Sequence, residues 1–277
     1  MAFSNLFSIK DEICVITGSG GALGGEIAYA LAKEGAKVVL LDIAFEKVNE
    51  LATKINEQRF FALPLECDVL NKESVKQALE TTLKRVGVPT ALINAAGGNK
   101  AVGSTDCEFY QKGSKGKTFL DLTLEGFKET FDLNYYGTVI PTQIFSKPMV
   151  EASYGSIINF ASVSSINPLT KVVAYSSAKA AVVNFTKWLA THYAKTNVRV
   201  NAIAPGFLMT EQLKFLHLDK EGHYTTRAKS VINHTPMGRY GEPNELVGSI
   251  VYLVSKASQF VTGSLITLDG GFSAYTI

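Results

Sequence analysis

Short β-branched runs alternate with amphipathic segments along almost the whole chain, and few folds are open to a chain built that way. ICVIT (Ile13 to Thr17) reads as a buried strand, and the segment Ala22 to Lys33 behind it carries Ile27, Ala30 and Leu31 at helical spacing before Gly35 stops it. The pattern recurs as VVLLD (Val38 to Asp42) with a helix to about Glu57, FFALPLE with a helix from about Lys72 to Arg85, and TALIN (Thr90 to Asn94). A long helix is then expected over Leu124 to Glu151, kinked or ended by Pro141 and Pro148. It is followed by strand SIINFA, a helix from about Ala174 to Ala194, strand VRVNAIA, a helix near Asn244 to Ser255, and strand SLITLD. Strands that alternate with helices pair in parallel through right-handed crossovers. The expectation is therefore an α/β chain: one doubly wound, seven-stranded parallel sheet with helices on both faces.

No Gly-, Ser- or Pro-rich linker or internal repeat divides residues 1–277, so a single domain is expected. Two connections are unusually long, about 98–123 and 207–243. In open α/β sheets, long loops at strand C-termini build ligand sites, so these are expected to form the substrate loops. Lys and Arg number 27 against 25 Asp and Glu, a net charge of +2 with no like-charge block, which argues against nucleic acid as a partner. The 3 cysteines, Cys14, Cys67 and Cys107, have neither disulfide-framework nor zinc spacing. With no basic leader ahead of an apolar stretch and no run of bilayer length, the expectation is a cytoplasmic protein with no membrane partner.

Between the first strand and its helix lies T-G-S-G-G-A-L-G-G, Thr17 to Gly25. Glycine lets backbone N–H groups approach a diphosphate at the positive end of a helix dipole. A P-loop is excluded because Glu26, not Lys, follows Gly25. Asp42 closes the second strand 24 positions after Gly18, about where a dinucleotide (Rossmann) fold places the acid that accepts from the adenosine ribose hydroxyls. That carboxylate would repel a 2′-phosphate, and neither Ser19 nor Ile43 offers a compensating cation, so NAD(H) is expected over NADP(H).

Tyr175 and Lys179 stand four apart in A-Y-S-S-A-K-A-A and share one helix face. A phenol near pKa 10 is a poor base at neutral pH; an adjacent ammonium is expected to lower it, and reaching about 7 takes about 4 kcal/mol. Ser162, thirteen positions earlier at a strand end, can face the same crevice and hydrogen-bond a developing alkoxide. Asn134 is a polar residue in a largely apolar run and, on its own, reads as structural. His192, His217, His223 and His234 have no metal-ligand spacing, so no catalytic metal is expected.

These pieces together resemble the short-chain dehydrogenase/reductase family over essentially the whole chain. The matching residues are Thr17-Gly18 with Gly24, Asp42, Cys67-Asp68-Val69, Asn94-Ala95-Ala96-Gly97, Asn134, Ser162, Tyr175 with Lys179, and Asn201 through Pro205-Gly206 to Thr210. The resemblance implies Tyr175 as acid/base, Lys179 lowering its pKa and holding the nicotinamide ribose, Ser162 polarising the substrate oxygen, and Asn134 supporting a relay water. It implies that Asp68 and Val69 contact the adenine, that Asn94 and Ala95 line the adenosine side, and that Thr210 meets the nicotinamide amide. Ser19, Leu23, Gly97, Pro205 and Gly206 join the implied cofactor contacts. Two positions depart from the family pattern: Ala22 replaces the middle glycine of the turn, and Ala95 replaces the second Asn of N-N-A-G.

Longer strings, among them N-A-A-G-G-N, A-P-G-F-L-M-T-E-Q, H-T-P-M-G-R-Y-G-E-P and D-G-G-F-S-A-Y, are similar to the branch of that family that interconverts D-fructuronate and D-mannonate. The similarity implies a small-molecule sugar-acid substrate. Its carboxylate needs a cation, for which Lys100, Lys171 and Arg227 are candidates, Lys171 foremost because it lies between Ser162 and Tyr175. A related sugar-acid or polyol dehydrogenase, such as a gluconate 5-dehydrogenase, stays open as an alternative. So does a non-catalytic NAD-sensing module, against which the intact Ser162, Tyr175 and Lys179 argue. The apolar C-terminal strand and the tail D-G-G-F-S-A-Y-T-I would leave an exposed edge in a monomer, and the resemblance implies a homotetramer.

Overall fold

A strand apolar on both faces has to be covered on both, and the central strands ALIN and GSIINF are buried end to end. The computed structural model describes residues 3–113 and 115–276. Its seven strands are β1 (Ile13–Thr17), β2 (Lys37–Asp42), β3 (Phe61–Glu66), β4 (Ala91–Asn94), β5 (Gly155–Phe160), β6 (Val198–Pro205) and β7 (Leu265–Leu268). They form one sheet in the order β3-β2-β1-β4-β5-β6-β7, every neighbouring pair parallel. The order reverses between β1 and β4, where Thr17 lies beside Asn94.

The first helices are α1 (Phe3–Leu6), α2 (Ala22–Lys33), α3 (Phe45–Glu57) and α4 (Lys72–Arg85). The remainder are α5 (Leu124–Phe131), α6 (Gly137–Glu151), α7 (Val173–His192), α8 (Glu211–His217), α9 (Thr226–His234) and α10 (Val247–Val254). Side-chain alternation along the strands divides the interior in two. Cys14, Ile16, Val38, Leu40, Ile93 and Ile158 face one core with Ile27 and Leu31 of α2, Val48 and Ile55 of α3, and Ile250 and Leu253 of α10. Val15, Val39, Leu41, Leu92, Ile157 and Val200 face the other with Val75 of α4, Phe145 and Met149 of α6, and Leu189 of α7. Local signals set the boundaries, as at α4, where the Asn71 side chain accepts from the N–H groups of Glu73 and Ser74.

Seven parallel strands and helices on both faces agree with the sequence reading. Two expectations need correction. Neither Pro141 nor Pro148 ends the long helix; both lie inside α6, and the interruption comes earlier, as a π-helical turn at Asp132–Tyr136 between α5 and α6. There the Thr138 hydroxyl donates to the Asn134 carbonyl and the Thr142 hydroxyl to the Thr138 carbonyl, so side chains satisfy backbone oxygens around the wide turn and the first proline. The second correction concerns 207–243, which is not a bare loop but carries α8 and α9. By contrast, among the described residues of 98–123 the helical elements are only the 3₁₀ turns Ala101–Gly103 and Phe119–Asp121.

Phe145 is fully buried in the second core. Phe145→Ala is expected to cost about 3–5 kcal/mol, visible as a lower urea midpoint at an unchanged m-value; a loss under about 1 kcal/mol would show that this core is not packed as described.

Candidate active site

Reversal of strand order leaves a crevice outside the carboxyl ends of β1 and β4. A cleft of about 610 Å³ occupies it, lined by Gly18, Leu23 and Gly24 from the turn, Asp42 and Ile43 after β2, Asp68 and Val69 after β3, Ala95 and Gly97 after β4, and Lys100 and Thr210. The turn is glycine for geometric reasons. Gly18 has φ of +67°, and a Cβ there would lie 2.7 Å from the Ala96 Cα; a Cβ on Gly24 would collide with the Gly18 carbonyl. Asp42 is held in place, with Oδ2 accepting from Gly20 N–H at 2.9 Å and Oδ1 from Ala44 N–H at 2.9 Å. A carboxylate offers about four acceptor sites, so roughly two stay available to ligand hydroxyls.

A second cavity of about 200 Å³ shares Leu23, Ala95 and Gly97 with the first, making one groove, and adds Ser162, Tyr175, Lys179, Pro205 and Gly206. β5 ends at Phe160, and the chain that leaves it places Ser162, whose Oγ accepts from Ser164 N–H at 3.1 Å. The first turns of α7 carry Tyr175 and Lys179 on one face. Lys179 is 3% exposed, and its Nζ donates to the Phe160 carbonyl at 2.7 Å while lying 5.7 Å from the centre of the Tyr175 ring. Burial penalises the ammonium and pulls its pKa down to about 8. Burial also raises Tyr175 above the usual phenol value, an effect its hydrogen bond with the Ser162 hydroxyl partly offsets. Desolvation is thus the larger influence on the phenol, against the expected lowering by Lys179.

A dinucleotide-sized cleft ending in a fixed carboxylate and opening onto a Ser-Tyr-Lys wall gives the comparisons their context. The short-chain dehydrogenase family model described as Enoyl-(Acyl carrier protein) reductase matches residues 19–273. The chain belongs to the short-chain dehydrogenase/reductase family. It is 40% identical to a Bacillus subtilis protein called Uncharacterized oxidoreductase UxuB, across 97% of each chain. A solved Haemophilus influenza structure with bound NAD, provisionally named a D-mannonate oxidoreductase, superposes with a TM-score of 0.94 at 42% identity over 97% of each chain. A gluconate 5-dehydrogenase from Burkholderia cenocepacia J2315 in complex with NADP and tartrate superposes at 0.84, with 28% identity over 98% of this chain and 99% of its own.

Most of the residues singled out from the sequence of this short-chain dehydrogenase/reductase lie along the groove, but several do not. The Ser19 side chain is buried and donates to the Leu41 carbonyl, tying the turn to β2 instead of facing the cleft. Asn94 is likewise turned inward, its Nδ2 donating to Thr142 and Asn159. Asn134 is fully buried in the π turn: Nδ2 donates to the carbonyls of Gly98 and Thr130, and Oδ1 accepts from Gly98 N–H. Its side chain clamps the loop after β4. Gly97, at φ of +155°, fits between the two groups because it lacks a side chain; a Cβ there would lie 2.7 Å from Asn134 Oδ1 and 3.1 Å from Lys179 Nζ.

Of the three candidate cations, Lys100 lines the cleft, with Glu129 at 3.4 Å, whereas Lys171 and Arg227 line neither cavity. Lys171 sits at φ of +72°, and its carbonyl accepts from Thr105 N–H. Ile43, weighed in the sequence only as lacking a charge, and Leu70, which was missed, are both exposed apolar residues in the cleft. Asp219, Glu221 and His223 bring donor atoms within 4.8 Å of one another, but all three are exposed, and Asp219 Oδ1 already accepts from the other two backbone N–H groups.

Two measurements check the electrostatics. In ¹³Cε NMR of labelled lysines, one resonance should titrate near pH 8, charged below and neutral above, and vanish in Lys179→Met; a spectrum in which every lysine titrates above about pH 10 would contradict the burial argument. Tyr175→Phe should lower kcat by about 10²–10⁴-fold.

Proposed function

We propose that this short-chain dehydrogenase/reductase catalyses the reversible reaction of D-fructuronate with NADH and a proton to give D-mannonate and NAD⁺. The observation that carries the reading is the continuity of the Asp42-terminated cleft with the Ser162, Tyr175 and Lys179 wall. The residues present fit a dinucleotide: Gly18 and Gly24 leave room where a Cβ would stand, and the Asp42 carboxylate keeps acceptor sites for ribose hydroxyls. NAD(H) supplies the hydride when bound.

Everything else is done by the chain. Tyr175, a phenol and so protonated at neutral pH, is set to donate its proton to the oxygen of a carbonyl being reduced. Ser162 hydrogen-bonds that same oxygen and stabilises the charge developing on it. Below about pH 8, Lys179 is an ammonium under the site, favouring the alkoxide that precedes protonation and available to the ribose hydroxyls. Gly18, Leu23, Gly24, Asp68, Val69, Ala95, Gly97, Pro205, Gly206 and Thr210 hold the cofactor, and the segments 98–123 and 207–243 wall the substrate. Lys100 binds the substrate carboxylate, being the candidate cation that reaches the groove. The Asp42 carboxylate favours NAD(H) by repelling a 2′-phosphate.

The similarity to a provisionally named D-mannonate oxidoreductase supports the substrate, and the NADP-bound gluconate enzyme makes the competing assignments worth measuring directly. Following NADH at 340 nm, D-fructuronate should be turned over faster than 5-ketogluconate, with a lower KM for NADH than for NADPH. Lys100→Met should raise the KM for the acid far more than for its uncharged alcohol. Faster turnover of 5-ketogluconate, or a lower KM for NADPH, would overturn the respective assignment.

We also read the protein as a cytoplasmic homotetramer. Among the described residues the three cysteines are free and no helix is long and apolar enough to cross a membrane. β7 is an edge strand, and Phe260, just ahead of it, is fully exposed in a single chain. Light scattering should return four times the chain mass of 29.9 kDa; a monomer would refute the assembly.

A further inference from the structure

A chain of buried hydrogen bonds runs beneath the active site and joins the elements that carry its catalytic groups. Along α5, the π turn and α6, the residues Thr130, Asn134, Thr138 and Thr142 recur every fourth position, and all are fully or almost fully buried. Asn134 Nδ2 donates to the Thr130 carbonyl at 2.8 Å, Thr138 Oγ1 to the Asn134 carbonyl at 3.0 Å, and Thr142 Oγ1 to the Thr138 carbonyl at 2.7 Å. The line then leaves the helix. Asn94 Nδ2, at the end of β4, donates to Thr142 Oγ1 at 2.8 Å and to Asn159 Oδ1 on β5 at 2.9 Å. Asn159 Nδ2 in turn donates to Thr186 Oγ1 on α7 at 2.9 Å, and Thr186 donates to the Val182 carbonyl of the same helix. Two turns ahead on α7, Lys179 reaches back to the carbonyl of Phe160, the residue that directly follows Asn159 and ends β5.

The arrangement leaves one buried polar atom unsatisfied. Thr142 has one hydroxyl proton and directs it to Thr138, so its oxygen can only accept from Asn94. Both Asn94 N–H groups are thereby committed, and Asn94 Oδ1 is left buried without a partner among the described residues. An apolar set of side chains would avoid that orphaned carbonyl, and a network kept in spite of one points to a role in geometry. The elements it joins are those that build the reaction groove: the π turn, whose Asn134 clamps Gly98, and α7, which bears Tyr175 and Lys179.

We propose that Thr142, Asn159 and Thr186, with Asn94 as their hub, are positioning residues that set the placement of the Asn134 turn against the Tyr175 and Lys179 face of α7. None of them touches the groove. The proposal rests on the catalytic reading above, and its test includes a readout that needs neither substrate nor cofactor.

Thr142→Val and Thr186→Val keep shape and remove one hydroxyl each; Thr142→Ser and Thr186→Ser keep the hydroxyl. With the substrate that the wild-type enzyme turns over best, each Val variant should lose about tenfold or more in kcat with the KM for NADH changed less than about twofold. Each Ser variant should recover most of the loss. The double Val variant should be little worse than either single one, because one severed line cannot be severed twice. In the substrate-free protein, the lysine ¹³Cε resonance assigned to Lys179 should shift its midpoint by about half a unit or more in each Val variant and return in the Ser variant. An unmoved Lys179 resonance, Ser variants as impaired as the Val ones, or kcat within about twofold of wild type would each overturn the proposal. If one Val variant fails to fold, its partner at the other end of the line decides the question alone. An enzyme inactive on every sugar acid, with the Lys179 resonance still moving in the Val variants, would remove the proposed substrate and leave the network standing.

Discussion

Where strand order reverses between β1 and β4, the crossover helices depart in opposite directions and the carboxyl ends of two neighbouring strands are left open to solvent. All seven strands are parallel, so every loop that follows a strand emerges at this same end. The glycine turn after β1, Asp42 at the end of β2, Asp68 after β3, Gly97 after β4 and Ser162 after β5 come from positions spread over more than half the chain. They share one groove for no other reason than the direction in which the strands run.

Within that groove the dominant physical term is desolvation. Lys179 is a buried cation whose hydrogen-bond acceptor is a backbone carbonyl, not a carboxylate, and the same apolar surroundings that depress its pKa raise that of Tyr175. Near neutrality the result is a protonated phenol beside an amine that stays charged only below about pH 8. Charge is kept close to the Tyr175 ring without an anionic partner to neutralise it. Holding such a pair takes a rigid frame, and the frame is polar where an α/β core is usually apolar.

How much of this was legible in the sequence varied with the range of the interaction. Strand and helix identity came from periodicity, and α2 and α4 begin and end where the pattern places them, because capping residues and side-chain spacing are local properties. The prolines misled for an instructive reason. A proline removes one hydrogen bond of its own, whereas the π turn at Asp132–Tyr136 depends on hydroxyls one turn away that take up the displaced carbonyls. Asn134 looked isolated because it was judged by its immediate neighbours; the repeat Thr130, Asn134, Thr138, Thr142 at intervals of four is visible in the sequence once a polar period is sought. Lys171 was favoured by its nearness to Ser162 and Tyr175 along the chain, yet it lines neither cavity of the groove.

By itself, the sequence determined the parallel α/β architecture, the glycine cradle with its acidic partner, and the pairing of Tyr175 with Lys179 on one helix face. Each of these is a matter of spacing within one strand, one turn or one helix. Tertiary structure alone decided the sign of the phenol's pKa shift, the inward turn of Ser19 and Asn94, and which lysine reaches the groove. Those outcomes depend on how much water is excluded around a group and on which distant backbone oxygen stands within reach, and neither quantity exists until the sheet and its two layers of helices have closed.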